Sequence, residues 1–122
     1  MIENFEDITG ELSADELVLI PLLIKGFKKH TKDNPIKAGE IVKNMNLYAE
    51  KNALPKMNDA RLRKCVNHIR TNGLLPVIAT SNGYYTSTDR AEIESQIKSL
   101  RQRASSILRC ADGLGTFLPA TI

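Results

Sequence analysis

The sequence has no tryptophan, only two cysteines, and few aromatic residues, which fill 5% of its 122 positions. Cys65 and Cys110 stand alone, without histidine or cysteine at the spacings that metal sites use, so we expect reduced thiols and no bound metal. No apolar run approaches the roughly 18 residues that a membrane span needs. The N-terminus is acidic, whereas a secretory signal begins with basic residues. These absences predict a cytoplasmic protein that does not enter a membrane.

The motifs of common enzyme classes are also missing. The chain has no paired-carboxylate site, no glycine-rich phosphate loop and no nucleophile elbow. Cys65 falls among apolar residues at helical spacing, which favours a core position over a nucleophile. We therefore expect a protein that is not an enzyme and that uses no cofactor.

The composition is that of an ordinary globular protein, with 42% apolar and 25% charged residues, and the length fits one domain. The net charge of +3 is unevenly distributed. Residues 1–24 hold six acidic and no basic side chains, whereas residues 25–70 hold twelve basic against four acidic ones. A basic middle segment favours a polyanionic partner, nucleic acid above all, although lysines that merely solvate helices would give the same count.

Capping signals predict three helices in the first part of the chain. Ser13 and Glu16 form a capping box that begins the first helix, which Pro21 should kink or split. A second helical stretch covers residues 36–52. The third helix begins after the N-cap Asn58 and runs to Thr71, where an Asn-Gly pair is a typical helix stop.

A β-hairpin and a long helix are predicted for the rest. The Asn-Gly pair at 82–83 joins two β-rich segments within residues 74–86, and one of Tyr84 and Tyr85 should be in the core. The last helix begins at Asp89 and reaches about Asp112. The predicted fold class is mainly α with a small β-hairpin. The predicted segments are an acidic arm (1–12), a domain (13–88), a C-terminal helix (89–114) and a tail (115–122).

This order of elements resembles that of the winged helix-turn-helix family. Residues 35–41 resemble its lead-in and second helix, residues 58–73 its recognition helix, and residues 74–86 its wing. The stretch from Asn72 to Tyr85 is also similar to small winged-helix proteins of phage and prophage type. The resemblance implies sequence-specific binding of double-stranded DNA, with helix 58–72 in the major groove. The protein would be a transcriptional regulator or a phage replication accessory factor. The alternative is a winged-helix adaptor that binds proteins and makes no direct DNA contact.

The third helix carries most of the candidate DNA contacts. Leu62, Cys65, Val66 and Ile69 form one apolar stripe, and the opposite face is basic and polar. Arginine, lysine and asparagine can read base edges, while hydroxyl groups and helix N-termini suit phosphates. The alternative is a solvated basic face without a ligand. The predicted DNA-binding residues are Lys37, Ala60, Arg61, Arg63, Lys64, Asn67, His68, Arg70, Thr71, Ser81 and Asn82.

The last helix carries a regular apolar seam. From Ile93 to Leu114 its apolar residues alternate at spacings of four and three, the pattern of a coiled coil. We expect a homodimer through this helix. The alternative is a helix that packs within its own chain, across the first helix. The predicted dimer contacts are Ile97, Leu100, Ala104, Ile107 and Ala111.

Overall fold

The computed structural model describes residues 11–120, so most of the predicted acidic arm and the end of the tail lie outside the described residues. The described chain is mainly α-helical, with one two-stranded antiparallel hairpin and a long C-terminal helix, as predicted. In chain order the elements are α1 (Ala14–Leu17), α2 (Ile20–Phe27), α3 (Ala38–Asn52), α4 (Asp59–Thr71), β1 (Val77–Thr80), β2 (Gly83–Thr86) and α5 (Arg90–Gly115). Across residues 11–120, none of the helices has both the length and the apolarity to cross a membrane.

The predicted first helix is split in two. The Ser13 hydroxyl accepts a hydrogen bond from the Glu16 N–H at 3.2 Å, and the Glu16 carboxylate accepts one from the Ser13 N–H at 3.1 Å. This capping box begins α1, which ends after one turn. Pro21 lies in the first turn of α2, where its missing N–H costs no helical hydrogen bond. The predicted split of the helix is thereby confirmed, with the break at residues 18–19, just before Pro21.

A tight connection joins α3 to α4. Ala53 ends α3 with a left-handed conformation, at φ 51°. The Asn46 side chain then holds the connection, because it accepts from the Met57 N–H at 2.6 Å and donates to the Met57 carbonyl at 3.0 Å. The Asn58 side chain accepts from the Arg61 N–H at 2.8 Å, which confirms the predicted N-cap of α4.

The start of α3 differs from its prediction. Ile36 is not helical but pairs with Tyr84 through two backbone hydrogen bonds of 2.8 and 2.9 Å. This pairing adds a third, one-residue strand to the hairpin, whose register aligns Val77 with Thr86 and Thr80 with Gly83. The segment before Ala38 is therefore extended, and the predicted helix start at residue 36 was wrong by two residues.

The core lies between the helices and the hairpin. Leu62, Cys65 and Ile69 are fully buried, which confirms the predicted apolar stripe of α4. Tyr85 is buried, whereas Tyr84 is half-buried with its ring centroid 5.7 Å from that of Phe27. The burial of Cys65, and then the nearby Glu16 carboxylate, raises the pKa of the thiol to about 11. This thiol is thus protonated at neutral pH.

Helix α5 leaves the rest of the fold after about its third turn. Its first half contacts β1, but every residue from 101 to 120 is exposed. The predicted alternative, in which this helix lies across the first helix, is therefore wrong. The helix also runs through Gly113 to Gly115, past the predicted end near Asp112. Phe117 is 85% exposed and does not dock onto the domain.

Candidate nucleic-acid interface

Helix α4 presents a polar ridge on the side opposite its buried stripe. Ala60, Arg63 and Thr71 are exposed and Asn67 is half-buried, at the spacings of three and four residues that align side chains along one helix face. Arg63 makes one long hydrogen bond, of 3.4 Å, to the carbonyl of Asp59. Its guanidinium therefore keeps most of its donors for a ligand.

One flank of this ridge is fixed by an acidic residue of α1. The buried Glu16 carboxylate accepts from Arg61 Nε at 3.0 Å and from Lys64 Nζ at 2.9 Å. Burial by itself raises the pKa of Glu16. Hydrogen bonds from Lys64, the Ser13 backbone and Arg61 outweigh that effect and bring the pKa to about 2. Two predicted DNA contacts, Arg61 and Lys64, are thus paired with a carboxylate inside the fold.

The same flank continues along the chain segment before α1. Leu12 and Leu17 face Asn67, His68 and Thr71 across a shallow cavity of about 390 Å³. These three predicted DNA contacts therefore lie together, but beside apolar side chains of the N-terminal segment.

On the other flank of the ridge, the Arg70 side chain is already hydrogen-bonded within the fold. Its Nε donates to the Val77 carbonyl at 2.9 Å and its Nη2 donates to Oε1 of Gln96, also at 2.9 Å. The same Gln96 oxygen accepts from the Ala79 N–H at 2.6 Å. The half-buried guanidinium of Arg70 thus joins α4 to β1 and α5, and the prediction of Arg70 as a DNA contact has to be corrected to this structural role.

The hairpin and the start of α3 adjoin the ridge on this second flank. Burial raises the pKa of Tyr84, and the positive charges of Arg70 and Arg63 oppose that rise. Because Ile36 pairs with Tyr84, the exposed Lys37 follows immediately beside the hairpin.

The hairpin turn is held by its own side chains. The Thr80 hydroxyl accepts from the Asn82 N–H and donates to the Gly83 carbonyl, both at 3.2 Å. Ser81 and Asn82 are exposed at the tip. The structure therefore places Lys37 beside the hairpin, whose tip carries the exposed Ser81 and Asn82.

Three residues that organise this surface were missed by the sequence analysis. Glu16 was recognised only as part of a capping box, and its two cationic partners lie 45 and 48 residues away. Asn46 and Gln96 are ordinary helix residues in the sequence, without a local pattern that marks their contacts. Glu16 and the basic residues 61 and 64 are visible in the sequence, but no local pattern indicates that they meet.

Comparison with known proteins gives no relative. The chain matches no protein-family model, and neither the curated proteins nor the solved structures contain a match. Any functional assignment therefore rests on the geometry around α4.

Proposed function

We propose that this chain is a non-enzymatic, cytoplasmic winged-helix protein that binds double-stranded DNA with α4 in the major groove. The observation that carries the proposal is the ridge of Ala60, Arg63, Asn67 and Thr71, which is free of acidic side chains and faces away from the core. A major groove is wide enough to admit one α-helix. The small Ala60 side chain would allow the helix axis to approach the base edges closely.

Two ridge residues have the chemistry to read bases. Arg63 can donate two hydrogen bonds to guanine O6 and N7, and Asn67 can pair with adenine N6 and N7. Arg61 and Lys64 would serve differently, because Glu16 holds both in place and neutralises one of their two charges. Each retains further N–H donors for phosphate oxygens along the edge of the groove.

Phosphate contacts on the other flank would come from the hairpin and α3. Lys37 and the free N–H groups in the first turn of α3 favour an anion, and the α-helix dipole adds to this. Ser81 and Asn82 offer polar groups at the hairpin tip. The tip has no lysine or arginine, so we assign it to the DNA backbone and not to the minor groove.

The protein would act as a homodimer through α5. Ile97, Leu100 and Ile107 are each 40% exposed, and Ala104 and Ala111 are also exposed, so residues 11–120 leave most of the predicted seam uncovered. A dimer that binds a palindrome would suit a transcriptional regulator, and a phage replication accessory factor is the second role that this architecture fits.

One observation favours the adaptor alternative. Leu47 is 54% exposed and Tyr48 46% exposed on α3, and Leu17 and Val18 are similarly exposed near α1. Large exposed apolar residues in groups are typical of protein-binding surfaces. An adaptor would use these residues and leave the α4 ridge unoccupied.

The decisive experiment selects duplexes from a randomised library with the wild-type protein and measures binding by fluorescence polarisation. Against the selected duplex, Arg63→Ala and Asn67→Ala should each lose about 5- to 150-fold in affinity, and much less against random duplex. Lys25→Ala removes an exposed lysine from α2 and should change neither affinity. Failure to select any sequence, with equal affinity of all variants, would contradict the proposal and leave the adaptor role.

A further inference from the structure

The two halves of α5 are complementary. The second half projects into solvent with an apolar seam, and just past its end Leu118 is 75% exposed. The first half borders an open cleft of about 370 Å³ against the segment before β1. The apolar side chains that line this cleft include Leu75, Val77, Ile93, Ile97 and Leu100. The second half of α5 thus has an apolar surface that is not covered, and its first half borders an apolar cleft that the described residues leave open.

We infer that two copies pair their α5 helices in antiparallel orientation, so that the bare half of each helix fills the cleft of the other. This inference rests on the proposed homodimer and specifies its geometry. The two-fold axis passes between residues 105 and 106. In this register Ala104 faces Ile107 of the second copy, Leu100 faces Ala111, and Ile97 faces Leu114. Leu118 then reaches the cleft beside Ile93.

The side-chain sizes favour this register. Each seam alanine is opposite a large residue, because Ala104 meets Ile107 and Ala111 meets Leu100. A parallel pair would instead stack Ala104 on Ala104 and Ala111 on Ala111, which leaves two thin layers in the interface. A parallel pair would also leave the cleft beside Leu75 without the helix end that fits it.

Charge also separates the possible registers. An antiparallel pair shifted by one heptad would be centred on residue 102. It would bring the two copies of Arg101 together along one side of the seam and the two copies of Arg103 together along the other side. The register centred between 105 and 106 separates these like charges. It also brings Asp112, the one acidic residue among positions 101–120, towards the basic stretch from Lys98 to Arg103 of the other copy.

Disulfide trapping tests the orientation without DNA. The test uses full-length protein with Cys110→Ser, which removes the exposed thiol and leaves the buried Cys65. Leu100→Cys and Ala111→Cys are then introduced singly and together. In the antiparallel register two copies of residue 111 are about 16 Å apart along the axis, as are two copies of residue 100, so neither single variant can link. The double variant places each new cysteine opposite its counterpart.

We expect a covalent dimer on a non-reducing gel from the double variant only, and light scattering should give twice 13.6 kDa for the unmodified chain. A dimer from either single variant would show parallel helices and overturn the inference. Linkage in none of the three, or a monomeric mass at micromolar concentration, would also overturn it. DNA affinity is measured separately, so loss of the dimer and loss of DNA binding are distinguishable.

Discussion

The Nζ atom of Lys64 lies 2.9 Å from Oε1 of Glu16, and this contact joins the middle of α4 to the short helix α1. Arg61 binds the other carboxylate oxygen, so the buried charge of Glu16 has two cationic partners. The N-terminal segment is thereby fastened to the helix that we propose enters DNA. A four-residue helix such as α1 has little stability of its own, so these ion pairs, with the core packing of Leu19, hold it in place.

Glu16→Gln should lower the free energy of unfolding by about 2 kcal/mol at pH 7, because it leaves Arg61 and Lys64 without their counter-charge. The Glu16 pKa is lowered from 4.5 to about 2, so the contribution of the charge is complete above about pH 4.5 and is lost as the pH falls towards 2. Urea denaturation of the wild type and of Glu16→Gln, at pH 7 and at pH 3, measures the two free energies of unfolding. The difference between them should be smaller at pH 3 than at pH 7.

Asp15→Asn is the matched control, since Asp15 is exposed in the same turn. It should change the unfolding free energy by less than about 0.5 kcal/mol. Equal effects of the two variants would show that α1 responds to helix-dipole charge and not to the ion pairs.

Gly83→Ala should destabilise the hairpin. Gly83 has φ 126°, and a Cβ atom there would lie 2.5 Å from the Ile36 carbonyl oxygen. We expect a loss of about 3 kcal/mol by chemical denaturation. Gly26→Ala is the control, because a Cβ on this residue of α2 would meet no atom within 4 Å. It should instead be neutral or stabilise the protein by about 0.5 kcal/mol.

Arg70→Ala should reduce stability but not base reading. The substitution removes the hydrogen bonds to Val77 and Gln96, at a cost of about 1–3 kcal/mol. Arg70→Lys should not restore it, because an ammonium group lacks the fork that reaches both acceptors. At a temperature where the variants are folded, their DNA affinity should stay within about twofold of the wild type. A sequence-dependent loss would assign Arg70 to base contact instead.

Lys37→Ala should lower the affinity for all duplexes equally. If Lys37 neutralises one phosphate, the slope of log K against log salt concentration should fall by about 1. Lys51→Ala provides the comparison, since Lys51 is exposed at the opposite end of α3. Polarisation titrations between 50 and 200 mM salt give both slopes, and identical slopes would place Lys37 away from the DNA.

The antiparallel dimer predicts the spacing of its DNA half-sites. Gln96, which joins α5 to α4, is about nine residues from the proposed two-fold axis, so the two copies of Gln96 lie about 28 Å apart. This distance approaches the roughly 34 Å of one DNA turn. Half-sites about 10 base pairs apart should bind cooperatively, and an insertion of 5 base pairs should abolish cooperativity. Cooperativity that is insensitive to the insertion would contradict this geometry.

Local signals predicted most of the fold. The Ser13 capping box, the Asn58 N-cap and the break just before Pro21 each depend on a few neighbouring residues, and all three are present in the structure. The start of α3 was misplaced because Ile36 is drawn into pairing with Tyr84, which is 48 residues away. The end of α5 was misplaced because exposed glycines weaken a helix without stopping it.

The surface around α4 was harder to predict. Helical periodicity alone was enough to distinguish the buried apolar face of α4 from its polar face. It could not show which polar residues are already bound within the fold. Arg61, Lys64 and Arg70 look like free cations in the sequence, yet Glu16 and Gln96 reach them through tertiary packing. The distinction between these three and Arg63 therefore needed the structure.

The shared acceptor Oε1 of Gln96 couples the orientation of α5 to two other elements of the fold. This single atom accepts hydrogen bonds from the Arg70 guanidinium of α4 and from the Ala79 N–H of β1, so three elements meet at this point. The last residue of α5, Gly115, lies about 28 Å beyond Gln96, and every residue of the helix after Leu100 is exposed. A tilt of about 10° at Gln96 would move the far end by about 5 Å, and the same tilt would strain both hydrogen bonds at once. A force applied at the far end of α5 is thus transmitted to α4 and the hairpin together.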